Sequence, residues 1–283
     1  MADFHFIDGL SEIAGDYDAI LCDAWGVIHN GKNLLPGAAD AMVRFRERRG
    51  PIVILTNAPK PAAVIPPQLD ALKLPRAAWD GIVTSGDSTR AEIERFLQMP
   101  AYRIGPPFDD PLFEGMAIEF VTLEEAGFIV CTGLNDGFTE EPDQYRDRLR
   151  LAAERGLPMV CANPDIQVNW GGRLMWCAGA LAEIYESFGG SVVYGGKPYP
   201  AIYRLAEAAV EKARGPGAGA PRLLGVGDGL HTDILGANKA GIDALLVVGD
   251  GGLHVGASEK QGLIDKITRD GLRVTAIMEG LKW

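Results

Sequence analysis

Short apolar segments alternate with amphipathic segments along most of the chain, and this pattern predicts strands that alternate with helices. Eight apolar runs are strand candidates: Ala19–Cys22, Ile52–Leu55, Gly81–Thr84, Phe128–Cys131, Pro158–Cys161, Val192–Tyr194, Leu223–Val226 and Ala244–Val248. Segments 37–50, 88–99 and 199–215 have helical spacing, and Ser88 is the candidate N-cap of the second. Because the strands are apolar on both faces, we expect an α/β fold with a parallel sheet covered by helices on both sides.

Segment 170–190 is rich in aromatic and apolar residues, and those between Leu174 and Tyr185 also fall at helical spacing. We predict one helix over this segment, with Trp170 or Arg173 facing a ligand. The looser stretch around 98–100 is a candidate crossing between two domains.

Composition narrows the class of protein. At 283 residues the chain is long for one domain, which favours a core domain with an insertion. The net charge of −11 argues against nucleic acid or an anionic membrane as a main partner, but a small phosphorylated ligand needs only local donors. The four cysteines have no paired short spacing, and we expect buried, reduced thiols. With no signal peptide and no apolar run of membrane-spanning length, we expect a cytoplasmic protein.

Polar side chains follow four of the strand candidates at the point where each strand ends: Asp23, Thr56, Asn57, Lys197, Asp228 and Asp233. Each is weak evidence alone, because a Thr-Asn pair usually caps a helix and a Gly-Asp pair usually forms a turn. Parallel sheets, however, bind ligands outside the carboxyl ends of their strands. We therefore expect these residues to form one site.

The chemistry of this set is coherent. Three gathered carboxylates, Asp23, Asp228 and Asp233, repel one another, which raises their pKa values. Mg²⁺ bound through carboxylate oxygens removes this problem. Lys197 adds a fixed positive charge, and Thr56 with the backbone N–H groups of the next helix can hold anionic oxygens. An aspartate in this position can attack phosphorus and form an aspartyl-phosphate.

With these residues in this order, the chain resembles the class IIA branch of the haloacid dehalogenase superfamily, which contains p-nitrophenyl phosphatases and nucleotide phosphatases. The resemblance is carried by DAWGVIHNG (23–31), LTNAPK (55–60), GIVTSGDS (81–88), CANPD (161–165), YGGKP (194–198) and VGDGLHTDILGANKAGIDALLV (226–247). These segments span nearly the whole chain, and the last is the most specific. The resemblance implies a Rossmann-like core at 1–97 and 191–283, interrupted by an α/β cap of the second type at 98–190.

The resemblance also implies a metal site and a nucleophile. Asp23 would be both the nucleophile and a Mg²⁺ ligand, and the backbone carbonyl of Trp25 and the carboxylate of Asp228 would complete the protein ligands. Asp233 would orient metal-bound water or Lys197.

For the substrate, the resemblance implies a small phosphorylated metabolite. Thr56 and Asn57 would hold the phosphoryl group, Lys197 would neutralise it, and Asn163 and Asp165 would lie near the leaving group. The resemblance allows a homodimer formed through the cap, and it implies that a glycine segment at 249–256 approaches the site unless it forms a surface turn.

Trp25 departs from the family pattern, in which an aspartate two residues after the nucleophile protonates the leaving oxygen and then activates water. A general acid–base of this kind contributes typically ~10²–10⁴-fold. The indole N–H is a donor only and is not acidic enough for this task. The backbone carbonyl survives the change, so metal binding need not fail.

Three hypotheses remain open at this point. The first is a phosphatase for good leaving groups, or one that takes its acid–base from another residue, with His29 as a candidate. The second is a catalytically weak relative that binds a phosphorylated ligand. The third is a dehalogenase-like hydrolase, because halide leaves without a proton, although the Asp228–Asp233 pattern and the cap segment favour phosphatases.

Overall fold

The computed structural model describes residues 5–249, 252 and 260–283. In this part of the chain the strands are β1 (Ala19–Cys22), β2 (Ile52–Thr56), β3 (Gly81–Thr84), β4 (Ala101–Ile104), β5 (Phe128–Cys131), β6 (Met159–Cys161), β7 (Gln167–Trp170), β8 (Arg173–Trp176), β9 (Val192–Tyr194), β10 (Leu223–Gly227), β11 (Asp243–Val247) and β12 (Ala276–Met278). The helices are α1 (Ala38–Arg48), α2 (Pro66–Ala71), α3 (Ser85–Glu94), α4 (Arg146–Glu154), α5 (Ala178–Ser187), α6 (Pro200–Arg214), α7 (Leu235–Lys239) and α8 (Lys260–Arg269). The predicted α/β class is confirmed.

Two parallel sheets organise these elements. The core sheet has six strands in the order β12-β11-β10-β1-β2-β3, and the smaller sheet has four in the order β4-β5-β6-β9. The strands β7 and β8 form a separate antiparallel pair. We call the unit built on the four-stranded sheet, with β7, β8, α4 and α5, the smaller domain.

The core sheet is buried on both faces, as the apolar runs predict. Along β1, Ile20 and Cys22 pack into one apolar cluster, while Ala19 and Leu21 pack into another. This alternation follows from the two-residue period of a strand. The first cluster includes residues of α1, and the second includes residues of α6. The smaller sheet is covered in the same way, so each domain has its own core.

All eight predicted strands are present, most of them within one or two residues of the expected bounds. The prediction missed β4, β7, β8 and β12. It also placed the start of α3 too late: Thr84, and not Ser88, is the N-cap, and its hydroxyl accepts a hydrogen bond from the backbone N–H of Asp87 at 3.0 Å.

The prediction of one helix over 170–190 is wrong in its first half. Trp170 and Arg173 belong to the antiparallel strands β7 and β8, which turn at Gly171 and Gly172, and the helix begins at Ala178. Leu174, counted in the helical stripe, is 55% exposed on β8. The two glycines, both with positive φ, were the signal for a hairpin turn.

The strand β9 pairs with β6 in the smaller sheet, whereas the predicted insertion ends at residue 190, before this strand. The chain returns to the core sheet only after Tyr194. In the described residues, no helix has the length and apolar character needed to cross a bilayer.

Candidate active site

The carboxyl ends of the core strands bring the predicted polar residues together. Asp23 directly follows β1, where its backbone N–H donates to the carbonyl of Val226 on β10 at 2.8 Å. Asp228 directly follows β10, and Asp233 lies on the first turn of the helical segment that precedes α7. The three aspartates each offer a carboxylate oxygen, and these oxygens lie within 4.8 Å of one another.

Lys197 lies where the chain passes from β9 of the smaller domain to α6 of the core, and its side chain contacts this cluster. Its ammonium donates to Asp23 Oδ1 at 2.6 Å, to Asp233 Oδ1 at 2.7 Å and to the carbonyl of Leu55 at 2.9 Å. The side chain is almost fully buried. Although burial alone lowers an ammonium pKa, Asp23 and Asp233 hold the pKa of Lys197 well above its usual value. Lys197 is therefore a fixed positive charge beside Asp23.

The charges of this cluster fit a divalent cation. Burial raises the pKa of Asp23, the neighbouring Asp233 and Asp228 raise it further, and Lys197 opposes them. Three carboxylates against one ammonium leave two negative charges in a buried site. Carboxylate oxygens are the donors that Mg²⁺ prefers, and the pocket at this point is lined by Trp25 and Gly26 as well.

Gly26 holds the approach to Asp228 open. Its backbone lies in the left-handed region with φ of +76°, and a Cβ there would stand 2.3 Å from Asp228 Oδ2. Gly252 approaches the same carboxylate, with a Cβ position 2.6 Å from Oδ2. The glycine segment at 249–256 was expected to reach the site; apart from Gly249 and Gly252, it lies outside the described residues.

Thr56 ends β2 and Asn57 follows it beside Lys197, and both are buried. The Asn57 amide has partners on both sides: its Oδ1 accepts from the backbone N–H of Lys197 at 2.7 Å, and its Nδ2 donates to Asp165 Oδ1 at 2.8 Å. Asn57 thus connects the core to the smaller domain at the site.

Asn163 and Asp165 come from the loop that follows β6 in the smaller domain. Asn163 Oδ1 accepts from the backbone N–H of Asp165 at 3.0 Å, which fixes the loop. Asp165 lines the same small pocket as Asp23, Thr56 and Lys197. We call this the inner pocket; its lining also includes Trp25, Gly26, Asn57, Gln167, Val168, Asn169, Asp228, Thr232 and Asp233.

The side chain of Trp25 packs between the two domains. Its ring meets His29 with centroids 5.0 Å apart and Trp170 with centroids 5.9 Å apart, both edge to face. Phe138 adds a further ring 5.3 Å from Trp170. The ring at position 25 is therefore part of an aromatic wall that joins the core to the smaller domain.

His29, the candidate substitute for the missing acid, is buried, and burial lowers its pKa to about 4. Its Nδ1 accepts from the backbone N–H of Gly31 at 3.1 Å. A neutral imidazole held in this way is a weak proton donor. The side chain of His231 is 66% exposed, and its Nε2 lies 3.6 Å from Asp270 Oδ2.

Beside the inner pocket lies a cavity of about 900 Å³, which we call the outer cavity. Aromatic residues from both domains line it: Trp25, Phe108, Phe138, Trp170 and Trp176. Thr56, Asn57, Asn163 and Asp165 line it too, and three of these, Thr56, Asn57 and Asp165, also line the inner pocket, so the two spaces adjoin.

Phe108, Phe138 and Trp176 were not predicted as lining residues. Phe108 follows β4, and Phe138 follows β5. Aromatic residues in loops just after parallel strands are the signal that was available, because such loops gather at the binding edge of a sheet.

A parallel core sheet with an Asp–Lys–Asp site at its carboxyl edge, joined to a second α/β domain over that edge, defines a Rossmann-like hydrolase fold. A family model described as haloacid dehalogenase-like hydrolase matches residues 20–112, and one described as HAD-hydrolase-like matches residues 194–260.

Individual relatives match most of the chain. The ribonucleotide monophosphatase NagD of Escherichia coli K12 is 30% identical over 239 residues, which cover 81% of this chain and 86% of the relative. A haloacid dehalogenase-like hydrolase from Brucella suis 1330 is 36% identical with a TM-score of 0.87, over 98% of this chain and 100% of its own. The glycerol phosphate phosphatase Rv1692 of Mycobacterium tuberculosis, in complex with magnesium, is 26% identical with a TM-score of 0.62, over 86% and 71%. The chain belongs to the haloacid dehalogenase-like hydrolase family, in its class IIA branch.

Proposed function

We propose that this protein is a Mg²⁺-dependent phosphatase that hydrolyses a phosphate monoester through an aspartyl-phosphate on Asp23. The observation that carries the proposal is the buried ammonium of Lys197, which bridges Asp23 and Asp233 beside Asp228. A nucleophilic carboxylate repels a phosphate dianion unless positive charge lies between them. The relatives named as phosphatases support the same activity.

Asp23, Asp228 and the backbone carbonyl of Trp25 would hold the cation. When bound, Mg²⁺ supplies charge neutralisation for the phosphoryl oxygens. Asp233 keeps Lys197 in place and accepts a hydrogen bond from the backbone N–H of Gly229 at 3.0 Å, which fixes its own carboxylate.

The phosphoryl group would enter the inner pocket, where the Thr56 hydroxyl and the backbone amide of Asn57 would bind its oxygens. Lys197 then faces both the nucleophile and the phosphate. The rest of the substrate would occupy the outer cavity, with Asn163 and Asp165 at the junction. Positioning and electrostatics supply most of the catalysis in phosphoryl transfer.

The smaller domain would act as a cap that covers the inner pocket and excludes water. We propose that it spans residues 98–194, four residues more than the sequence indicates, because β9 belongs to its sheet. Besides the contact of the Trp25 and Trp170 rings, hydrogen bonds join it to the core at the site: Asn57 donates to Asp165, and the hydroxyl of Ser85 donates to the carbonyl of Ala162 at 2.6 Å.

The test is turnover of p-nitrophenyl phosphate with and without Mg²⁺, in the wild type and in Asp23→Asn. We expect Mg²⁺-dependent release of phosphate that Asp23→Asn abolishes. A matched control is Asp147→Asn, the same chemical change on a side chain that is 97% exposed. Phosphate binding without turnover across a panel of esters would favour the ligand-binding relative, and metal-free halide release from a haloacid would favour the dehalogenase.

A further inference from the structure

The inner pocket needs a proton donor that position 25 does not supply. An alkoxide leaving group must be protonated as its bond to phosphorus breaks, and the water that follows must lose a proton. The Trp25 ring packs against His29 and Trp170, and an indole N–H is not acidic enough to transfer a proton near neutral pH. Another group must do this work if the enzyme cleaves esters of ordinary alcohols.

Few titratable groups line the inner pocket in the described part of the chain. Asp23, Asp228 and Asp233 form the carboxylate cluster, where the nucleophile and the cation ligands lie. Lys197 already donates to three acceptors, two of them carboxylates. The remaining group is Asp165, which stands outside the cluster.

The titratable groups that line only the outer cavity are less suited to act as the proton donor. His29 is held neutral by burial, and its Nδ1 is an acceptor. Asp109 is paired with Lys60, 3.8 Å from Oδ1 to the ammonium. Asp136 accepts from the hydroxyl of Thr139 at 2.7 Å and from the backbone N–H of Phe138 at 2.9 Å. Among the described carboxylates, Asp165 is the one that lines both the inner pocket and the outer cavity.

We propose that Asp165 is the general acid–base of the reaction, and that it replaces from the smaller domain the carboxyl group that Trp25 has displaced from the core. This inference rests on the proposed phosphatase activity. Asp23 enters the inner pocket from the core sheet and Asp165 from the smaller sheet, so the substrate phosphorus lies between nucleophile and acid. Asn57 fixes Oδ1 of Asp165 by its hydrogen bond.

In the first half-reaction, an oxygen of Asp23 forms a bond to phosphorus and the ester P–O bond breaks. The electron pair of that bond stays on the leaving oxygen, which takes the proton of the Asp165 carboxyl group and departs as the alcohol. In the second half-reaction, water attacks phosphorus, Asp165 accepts its proton, and the bond to Asp23 breaks. Inorganic phosphate leaves, and Asp165 is again protonated.

The electrostatics of Asp165 suit this role. Burial raises its pKa to about 6, against the opposite effects of Lys197 and of the Asn57 hydrogen bond, while Asp233 adds to the rise. Cys177 also faces it, and its thiol stays neutral because burial, with Asp165 nearby, holds its pKa well above the usual value. A carboxyl group with this pKa is partly protonated near neutral pH and can also accept a proton.

The test compares p-nitrophenyl phosphate with p-nitrobenzyl phosphate. The two esters carry the same ring. p-Nitrophenolate can leave as the anion, whereas p-nitrobenzyl alkoxide must be protonated as it leaves. In Asp165→Asn we expect kcat/KM for the benzyl ester to fall by about 10²–10⁴-fold, and for the phenyl ester by less than about tenfold. The phenyl ester should also give a burst of one nitrophenolate per enzyme, since Asp165→Asn also slows attack by water on the aspartyl-phosphate.

The pH profile gives a second readout. The ratio of kcat/KM for the benzyl ester to that for the phenyl ester should fall in the wild type as pH rises past about 6, because the acid form of Asp165 is lost. In Asp165→Asn the ratio should be low and independent of pH. Asp147→Asn, an exposed change in the same domain, should behave as the wild type.

Equal losses of kcat/KM for the two esters in Asp165→Asn would overturn the proposal and leave Asp165 as a binding residue. No loss for either ester would also overturn the proposal. If the wild type does not turn over p-nitrophenyl phosphate with Mg²⁺, the proposed function itself fails, which is a different outcome. Circular dichroism of Asp165→Asn checks that the fold is retained.

Discussion

The close approach of Gly26 to Asp228 permits a test of the cation site in which no candidate ligand is itself substituted. In Gly26→Ala, the new methyl group would stand 2.3 Å from Asp228 Oδ2 and 2.9 Å from the Cα of Gly252, so the carboxylate must move. Gly115 offers a matched control. It has nearly the same backbone angle, φ of +75° against +76°, but nothing lies within 4 Å of its Cβ position.

Both variants place an alanine in the left-handed backbone region, but only one of them also displaces a metal ligand. An alanine in the left-handed region costs about 1–2 kcal/mol, so both should lose about 2–8 °C in Tm. Only Gly26→Ala also displaces Asp228. Disturbing the support of a metal ligand typically costs about 10–100-fold in metal affinity or activity. We therefore expect the Mg²⁺ concentration for half-maximal activity to rise by about that factor in Gly26→Ala and to stay unchanged in Gly115→Ala.

The assay is p-nitrophenyl phosphate turnover over a Mg²⁺ titration, with thermal unfolding followed by circular dichroism. Thermal unfolding with and without Mg²⁺ reports the cation independently of turnover, because a ligand that binds the folded state raises Tm. An unchanged Mg²⁺ requirement in Gly26→Ala would refute the assignment of Asp228 as a cation ligand. An equal change in Gly115→Ala would show that the effect is general destabilisation.

Three further predictions follow from contacts described above. Lys197→Met leaves Asp23 and Asp233 buried without their ammonium, and chemical denaturation should show a loss of about 3–5 kcal/mol unless Mg²⁺ is added, together with loss of turnover. Trp170→Ala removes the ring that contacts Trp25 and should raise KM for p-nitrophenyl phosphate about 2–10-fold, with competitive inhibition by inorganic phosphate unchanged; an equal change in both would contradict a role of the ring in holding the leaving group. Trp25→Asp placed in Asp165→Asn should restore turnover of p-nitrobenzyl phosphate, measured as kcat/KM, and failure in a folded double variant would argue against the exchange of acid between the two positions.

The core of the fold was predictable because its signal is local. Five of the six core strands were predicted, because each is a short run in which successive residues enter opposite apolar clusters, as in β1 and β2, and no polar residue interrupts the run; β12, only three residues long, was missed. Part of the site followed from the same pattern, since Asp23, Asn57 and Asp228 directly follow core strands at the binding edge, whereas Lys197 follows β9 of the smaller sheet. The structure brings Asp23, Lys197 and Asp228 to that edge from three separate parts of the chain.

Two of the missed strands, β4 and β8, lack that local signal. Tyr102 and Arg103 interrupt the apolar pattern of β4, and their packing depends on the neighbouring strand β5. The strand β8 is half exposed, and its apolar residues combine by chance with those of α5 into a helical spacing that tertiary structure overrides. The contact between Asn57 and Asp165 joins residues 108 positions apart, and no pattern along the chain predicts it; the resemblance placed Asp165 only near the leaving group.

The family pattern gives the residue at position 25 two functions: its backbone carbonyl binds the cation, and its carboxyl group transfers the proton. Tryptophan at this position keeps the carbonyl but has no carboxyl group. Trp25 lines the inner pocket, and its ring belongs to the aromatic wall with Trp170. If the proton comes instead from Asp165, it comes from the smaller domain, and the hydrogen bond to Asn57 exists only while that domain rests on the core. An acid at position 25 would be ready in both open and closed arrangements. An acid at position 165 protonates the leaving group only after closure, so it ties cleavage of alkyl esters to the exclusion of water from the inner pocket.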